Sequence, residues 1–257
     1  NHDLLDAGRA GTVREVLAGA AAVVVFHASI RDRIADTLPA VAPRIVVIPQ
    51  SVRLPEGEPF DIAARWRLPS DRVLFVFPAG IRAVKQPRFP LRPFDRLVAR
   101  RPCVRLLYAG PILDPGEGEA LLREIARRLW ARHVGAVPHA RMRSLLEAAD
   151  VVVNASISEG GMANSVLEAM AVGRPVLASD IPGNRSLVEH GVTGFLFRTE
   201  EDLERTAERL IDDPALRRAL GDAAREKLER LYPARNEAEG YEALYQGLAA
   251  PSGRAIR

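Results

Sequence analysis

Residues 151–170, VVVNASISEGGMANSVLEAM, join an apolar run to a helical one through an acidic, glycine-bearing loop. The segment opens on a short β-branched run, the pattern of a buried strand. A loop follows with one acid, Glu159, and two glycines, Gly160 and Gly161. Then comes an apolar run at helical spacing that carries a second acid, Glu168, nine positions on. The helix is expected to begin near Asn164 or Ser165, both good N-caps. Ser165-Val166-Leu167-Glu168 fits a capping box, so Glu168 has a structural reading beside a ligand-binding one. Glu159 has no such structural reading. The two glycines let the backbone approach a ligand and accept unusual dihedrals, and the free N–H groups of the helix start favour an anion such as phosphate.

Working outward, residues 21–26, 44–49, 72–77, 104–110 and 174–179 also read as strands. Residues 121–131 and 141–150 carry apolar side chains at helical spacing. This alternation predicts βαβ units and a doubly wound parallel sheet with helices on both faces. A Pro- and charge-rich segment gives the division: a first piece at 1–52, a linker at 53–71, the sheet domain at 72–232, and a C-terminal helix with a frayed tail at 233–257. Within the sheet domain, the helical region 200–232 is expected to break at Asp212-Asp213-Pro214, since proline favours a helix start. Ligands of open α/β sheets sit beyond the carboxyl ends of the strands. That rule nominates three loops on one rim: AGIRAVK (79–85), AGP (109–111) and ASISEGG (155–161).

Composition excludes several classes. With 257 residues, 47% apolar content and a net charge of +3, the chain reads as globular. No Lys/Arg block is interleaved with aromatics, so nucleic acid is not an expected partner. The basic balance reads as a solvated surface, with a weak attraction to anionic membrane surfaces as the alternative. The longest apolar run, LAGAAAVVVF (17–26), is too short to span a bilayer. No signal peptide is evident, and the single cysteine, Cys103, permits a reducing compartment, so a cytoplasmic location is expected. Cys103 itself reads as a buried structural thiol. The chain starts at Asn1 rather than Met, which suggests a piece of something longer.

The basic residues are informative because of what they are. Thirty-six Lys and Arg include only two lysines, Lys85 and Lys227. Lys85 follows Gly80 and Arg82 on the first rim loop, and a compact ammonium there, beside an arginine fork, suits a specific anion contact. Lys227, in a charged helix, is expected to have no role. His27, His133 and His139 read as strand or helix ends, His2 and His190 as loop residues, and Trp66 and Trp130 as packing in helical patterns.

GIRAVKQP (80–87), LLYAGP (106–111) and the run from His133 to Phe197, with its SISEG, LEAM and IPGN phrases, resemble the C-terminal donor domain of family 4 retaining glycosyltransferases of the GT-B fold. The glycosyltransferase 1 domain-containing group is especially similar. The resemblance covers residues of about 15 to 245. It implies a Rossmann-like GT-B C-terminal domain with a remnant of the GT-B N-terminal domain before it. It also implies a nucleoside-diphosphate sugar as donor (UDP, GDP or ADP), an unspecified acceptor and no cofactor. Carried over by motif, Arg82 and Lys85 hold the diphosphate, Glu159 contacts the donor sugar and Glu168 binds the ribose hydroxyls. The backbone from Gly160 through Gly161, Met162 and Ala163 to Asn164 lines sugar and phosphate. Ser165 belongs to the same helix start. Gly80 and Gly110 line the rim, and Val137 edges the base.

The chain departs from the family at three places. The acids are nine rather than eight apart, Ser186 stands where many members carry a glutamate, and most of the acceptor domain is missing.

Leaving-group charge develops on phosphate, where Arg82, Lys85 and the helix start near Ser165 would receive it. With no Asp-x-Asp pair or His/Cys cluster in the sequence, a metal-independent transfer with retention is expected. This chain alone is expected to be incomplete for catalysis. The competing reading is a module that binds a nucleotide or nucleotide sugar without turnover. A GT-B isomerase or phosphorylase fits the paired-acid loop less well. An oxidoreductase is disfavoured because no G-x-G-x-x-G follows the first strand. The strands before residue 50 would leave edges open, which predicts association with the missing fragment or a dimer.

Overall fold

The computed structural model describes residues 10–250, so His2 and the tail after Ala250 lie outside the described residues. The chain divides into two compact units. One runs up to Ser51 and takes in Gly160–Met162 and the chain from Tyr232 on; the other is Val52–Glu159 with Ala163–Leu231.

The first unit begins with α1 (Ala10–Gly19), β1 (Val23–Val25), α2 (Ala28–Thr37) and β2 (Ile45–Val47). β1 and β2 pair in parallel, with Val23 opposite Ile45. Period-two alternation sends Val23 and Val25 inward, where they meet Ile34 and Val41 in a small core. His27 caps α2, its Nδ1 accepting from the Ser29 amide at 3.2 Å. In this unit a Cβ on Gly161 would lie 2.2 Å from the Phe26 ring. The Met162 amide donates to Gln50 Oε1 at 3.1 Å. Neither Gly160 nor Gly161 has a positive φ, so the unusual dihedrals expected there are not used. Gly161 supplies the absence of a side chain.

The second unit continues with α3 (Ile62–Trp66), β3 (Val73–Pro78), α4 (Leu91–Arg100), β4 (Val104–Ala109), α5 (Pro115–Ile125) and β5 (Ala131–Gly135). Next come α6 (His139–Ala148), β6 (Val151–Asn154), α7 (Asn164–Ala171), β7 (Val176–Ser179), α8 (Pro182–Arg185) and β8 (Gly194–Phe197). α9 (Glu200–Asp212) and α10 (Pro214–Leu231) close the unit, and α10 starts at the proline that its sequence marks. α11 (Ala234–Ala249) belongs to the first unit, where Glu237 Oε2 accepts from the Ser51 amide at 2.8 Å and its hydroxyl at 2.6 Å.

Six parallel strands of the second unit run in the order β5-β4-β3-β6-β7-β8. The chain lays β3, β4 and β5 in one direction, then returns to place β6 on the other side of β3. The reversal puts a topological switch point between β3 and β6, where such sheets bind ligands. Every residue of β3 and β6 is buried, as a central strand covered on both faces requires. Aromatic rings fill the core, with Phe75 edge-on to Phe94 at 4.9 Å and Phe94 stacked on Trp130 at 5.9 Å.

Several expectations change. The segment 53–71, read as a linker, carries α3 and is fastened along α6: the Glu58 amide donates to Ala140 O at 3.0 Å, and Arg143 reaches the carbonyls of Leu54 and Pro55. The helix expected at 121–131 ends at Ile125, because Trp130 turns inward and its carbonyl accepts from Leu106 to begin the ladder of β5. Trp130 is therefore a packing residue but not a helical one, whereas Trp66 ends α3. β5 and β8 were not among the expected strand runs; β5 is a half-solvated edge that need not read as a continuous apolar run, while β8, at the other edge, is an apolar run of only four residues, Gly194–Phe197. Cys103 is half-buried rather than buried. Among the described residues no helix is long and apolar enough to cross a membrane.

Candidate functional site

The loops after β3 and β4 are zipped together. The Ile81 amide donates to Pro111 O at 2.8 Å, and the Leu113 and Asp114 amides both donate to Ile81 O. A Cβ on Gly110 would lie 2.1 Å from Ala79 O, so only glycine fits. At Gly80 a Cβ would strike the Leu113 side chain at 2.5 Å. Both rim glycines thus serve loop-to-loop packing. His133 adds to it by binding Gly110 O through Nε2 at 2.8 Å.

This clamp presents a one-turn helix, Ala83–Lys85, ended by Gln86 with a left-handed φ of 44°. Arg82, just before it, is exposed, and its side chain makes no hydrogen bond or ion pair among the described residues. The loop after β6 is tied to this turn by the Ile157 amide on Val84 O at 3.0 Å. Glu159 thereby arrives beside Lys85 at the switch point. The Lys85 ammonium donates to Glu159 Oε1 at 2.6 Å and Oε2 at 2.7 Å, and only 13% and 11% of the two side chains is exposed.

Glu159 is held from behind as well. Its Oε1 accepts from Ser156 Oγ at 2.7 Å and Asn154 Nδ2 at 3.1 Å, while Oε2 takes only the lysine. Asn154 Oδ1 accepts from the Ser156 amide at 3.1 Å and from Asn184 Nδ2 at 3.3 Å. Asn184, fully buried in α8, also reaches Ser179 O at 2.9 Å. A polar strut therefore runs from α8 through the end of β6 to the carboxylate. Sequence reasoning missed Asn154, Ser156, Ser179 and Asn184; the available signal was an asparagine ending an otherwise apolar strand.

The other acid is placed differently. α7 has Ala163 as its N-cap with no side-chain cap bond, and Ser165 Oγ accepts from Asn154 Nδ2 at 3.2 Å instead. The expected capping box is therefore not made, and its structural reading of Glu168 falls away. Glu168 is half-buried on α7, and its carboxylate makes no hydrogen bond or ion pair among the described residues. Burial pushes its carboxyl above the ordinary glutamate value, with His139 at the start of α6 partly offsetting the shift.

Of the remaining expected site residues, Ala163 is buried, Asn164 exposed and Ser165 half-buried at the start of α7. Val137 is half-buried in the loop between β5 and α6, two strands from the switch point. Gly160, Gly161 and Met162 fall in the first unit. Next to the rim, Asp180 binds Arg185 and Arg198 at the end of β7; the Arg185 bond above all holds its carboxyl below the ordinary aspartate value. Among the described residues no three His, Cys, Asp or Glu side chains group as a metal site.

A parallel sheet with a charged pair at its switch point and a helix start beside it defines a Rossmann-like α/β domain of the GT-B type. The family model Glycosyl transferases group 1 matches residues 60–227, and the chain belongs to that family.

The chain is 29% identical over 257 residues to glycosyltransferase 1 domain-containing protein 1 of Xenopus tropicalis, covering 96% of this chain and 73% of that protein. It is 33% identical over 202 residues to D-inositol 3-phosphate glycosyltransferase of Nocardiopsis dassonvillei, covering 71% of this chain but only 46% of that protein. Anabaena HepE, solved in complex with UDP and glucose, superposes with a TM-score of 0.77 at 18% identity, over 88% of this chain and 64% of that one.

Proposed function

We propose that the chain carries the donor half of a metal-independent, family 4 type retaining glycosyltransferase. It would transfer a hexosyl group from a nucleoside-diphosphate sugar to an acceptor, in the cytoplasm. The observation that carries this reading is the Lys85–Glu159 pair at the switch point. An ammonium has three donors, and two of them go to Glu159, leaving one for a phosphate oxygen. Glu159 Oε2 keeps lone-pair capacity for a sugar hydroxyl. Arg82, exposed and unpaired, supplies a guanidinium fork for the diphosphate. The first amides of α7 have no partners within their own helix and add a positive end. Glu168 offers an unshared carboxylate to the ribose hydroxyls.

As the anomeric C–O bond breaks, its electron pair moves to the leaving phosphate oxygen. Cations and amides already oriented there stabilise the new charge without reorganising. Only the part of each contact that strengthens at the transition state speeds the reaction. The family match favours transfer over a module that holds the donor without turnover.

Calorimetric titration with UDP-glucose, alongside the GDP and ADP counterparts, tests the reading, with UDP-glucose first because HepE was solved with UDP and glucose. Saturable binding of one donor is expected; no binding of any would sink the assignment. Proton NMR of the glucose first released from UDP-glucose reads the stereochemistry, the α anomer for retention and the β anomer for inversion.

A further inference from the structure

The opposite end of the sheet carries a second charged feature, wholly within the second unit. A cavity of about 430 Å³ is lined by Arg174, Arg217, Arg218 and Arg225 together with Asp150 and Asp222. Asp150 immediately precedes β6 and Arg174 lies just before β7, so the cavity faces the amino ends of strands whose carboxyl ends carry the rim. It exists because two backbones approach closely. A Cβ on Gly221 of α10 would lie 2.0 Å from Gly173 O, and Gly173 itself has a left-handed φ of 65°.

The guanidiniums are incompletely used. Arg217 donates to the carbonyls of Leu210 and Ile211 and sits 3.5 Å from Asp150. Arg225 pairs with Asp222 at 3.1 Å. Arg174 binds Glu147 O through one terminal nitrogen, but its Nε is buried with no partner. Arg218 is exposed, and its side chain makes no hydrogen bond or ion pair among the described residues. Four cations against two aspartates leave two positive charges in excess, in a cavity of ligand size.

We infer that this cavity is a binding site for a small phosphate-bearing dianion or diphosphate, separate from the rim. Planar forks match phosphate oxygens, and several converging on a concave wall select a multiply charged group over a single carboxylate. Arg217 and Arg218 project from the start of α10, whose own positive end is already capped by Asp213, its Oδ1 accepting from the Leu216 amide at 2.8 Å, so the arginine side chains supply the cavity's positive charge. The site does not depend on the glycosyl-transfer reading.

The test is calorimetric titration of the full chain with sodium pyrophosphate in the presence of saturating UDP, which occupies the rim diphosphate contacts. The wild type should bind saturably, and Arg218→Ala and Arg225→Ala should each weaken that binding by about tenfold. Arg218→Ala removes an exposed, unbonded side chain, so its melting temperature should match the wild type. Asp222→Asn removes a competing negative charge and should tighten binding. Absence of saturable binding, binding unaltered in Arg218→Ala, or an Asp222→Asn variant that binds no more tightly than the wild type would each overturn the site.

Discussion

Glu159 and Glu168 lie nine residues apart on one loop-to-helix segment, yet the fold treats them in opposite ways. Glu159 receives two bonds from Lys85 and one each from Asn154 and Ser156. The Glu168 carboxylate is half-buried and receives none among the described residues, and burial pushes its carboxyl up. A partnered carboxylate is a fixed, charged fixture; an unpartnered one costs stability until something binds it. The first acid is pre-positioned by the protein; in the proposed function the second receives its partners from the ribose hydroxyls.

Breaking the pair should have the largest effect. Lys85→Met leaves Glu159 charged and nearly buried, a type of change that costs about 3–5 kcal/mol. Thermal melting should register it, and UDP-glucose affinity should fall about 100-fold. The double variant Lys85→Met/Glu159→Gln should recover much of the melting temperature but not the affinity. If the cycle shows no coupling in stability, the pair is not the structural unit described.

Next comes the strut. Asn154→Leu deletes one bond to Glu159 and the links to Ser165 and Asn184, while Lys85 remains in place. Turnover of UDP-glucose should drop about tenfold, the scale of one charge-assisted hydrogen bond, with UDP affinity within about twofold. Equal losses in both would make Asn154 a general fold residue instead.

Glu168→Gln sharpens the contrast by its sign. A carboxyl raised by burial binds its proton more readily folded than unfolded, so its cost is absent at low pH and appears as pH rises through the raised value. The variant should melt higher than the wild type at pH 7 and no higher at pH 4, while binding UDP about tenfold more weakly. Asp180 provides the reverse and smallest case. Its lowered carboxyl stabilises above the ordinary aspartate range, and that stability is lost as pH falls through the depressed value. Asp180→Asn should cost about 1 kcal/mol or less at pH 7, since both arginine partners are largely exposed. The deficit should shrink in acid.

The sheet was legible where strands are central. The runs that became β3, β4, β6 and β7 are apolar because both their faces are covered, whereas β5 at one edge is largely half-exposed and broken by Arg132 and His133, and β8 at the other is an apolar run of only four residues. Lys85 stood out by composition and Glu159 by its loop, but their pairing did not. The two lie 74 positions apart, and only the reversal of strand order brings their loops together. The capping box was a sound local pattern that lost to a tertiary competitor, since Asn154 takes the Ser165 hydroxyl. The second glycine of the loop read as room for a ligand to approach; what lies against it is the Phe26 ring, distant in sequence. Asn184 could not be seen as a support for Glu159, because the link passes through two strand ends.

The most direct test of the central claim, that the Lys85–Glu159 pair at the switch point forms the donor site, is UDP-glucose titration of the wild type, Lys85→Ala and Lys227→Ala under one condition. Lys227 lies on α10, away from the rim loops, and its amine is pushed down by burial. The account predicts a loss of about 100-fold for Lys85→Ala, the combined scale of two charge-assisted bonds, and an unchanged affinity for Lys227→Ala. Wild-type affinity in Lys85→Ala would contradict it.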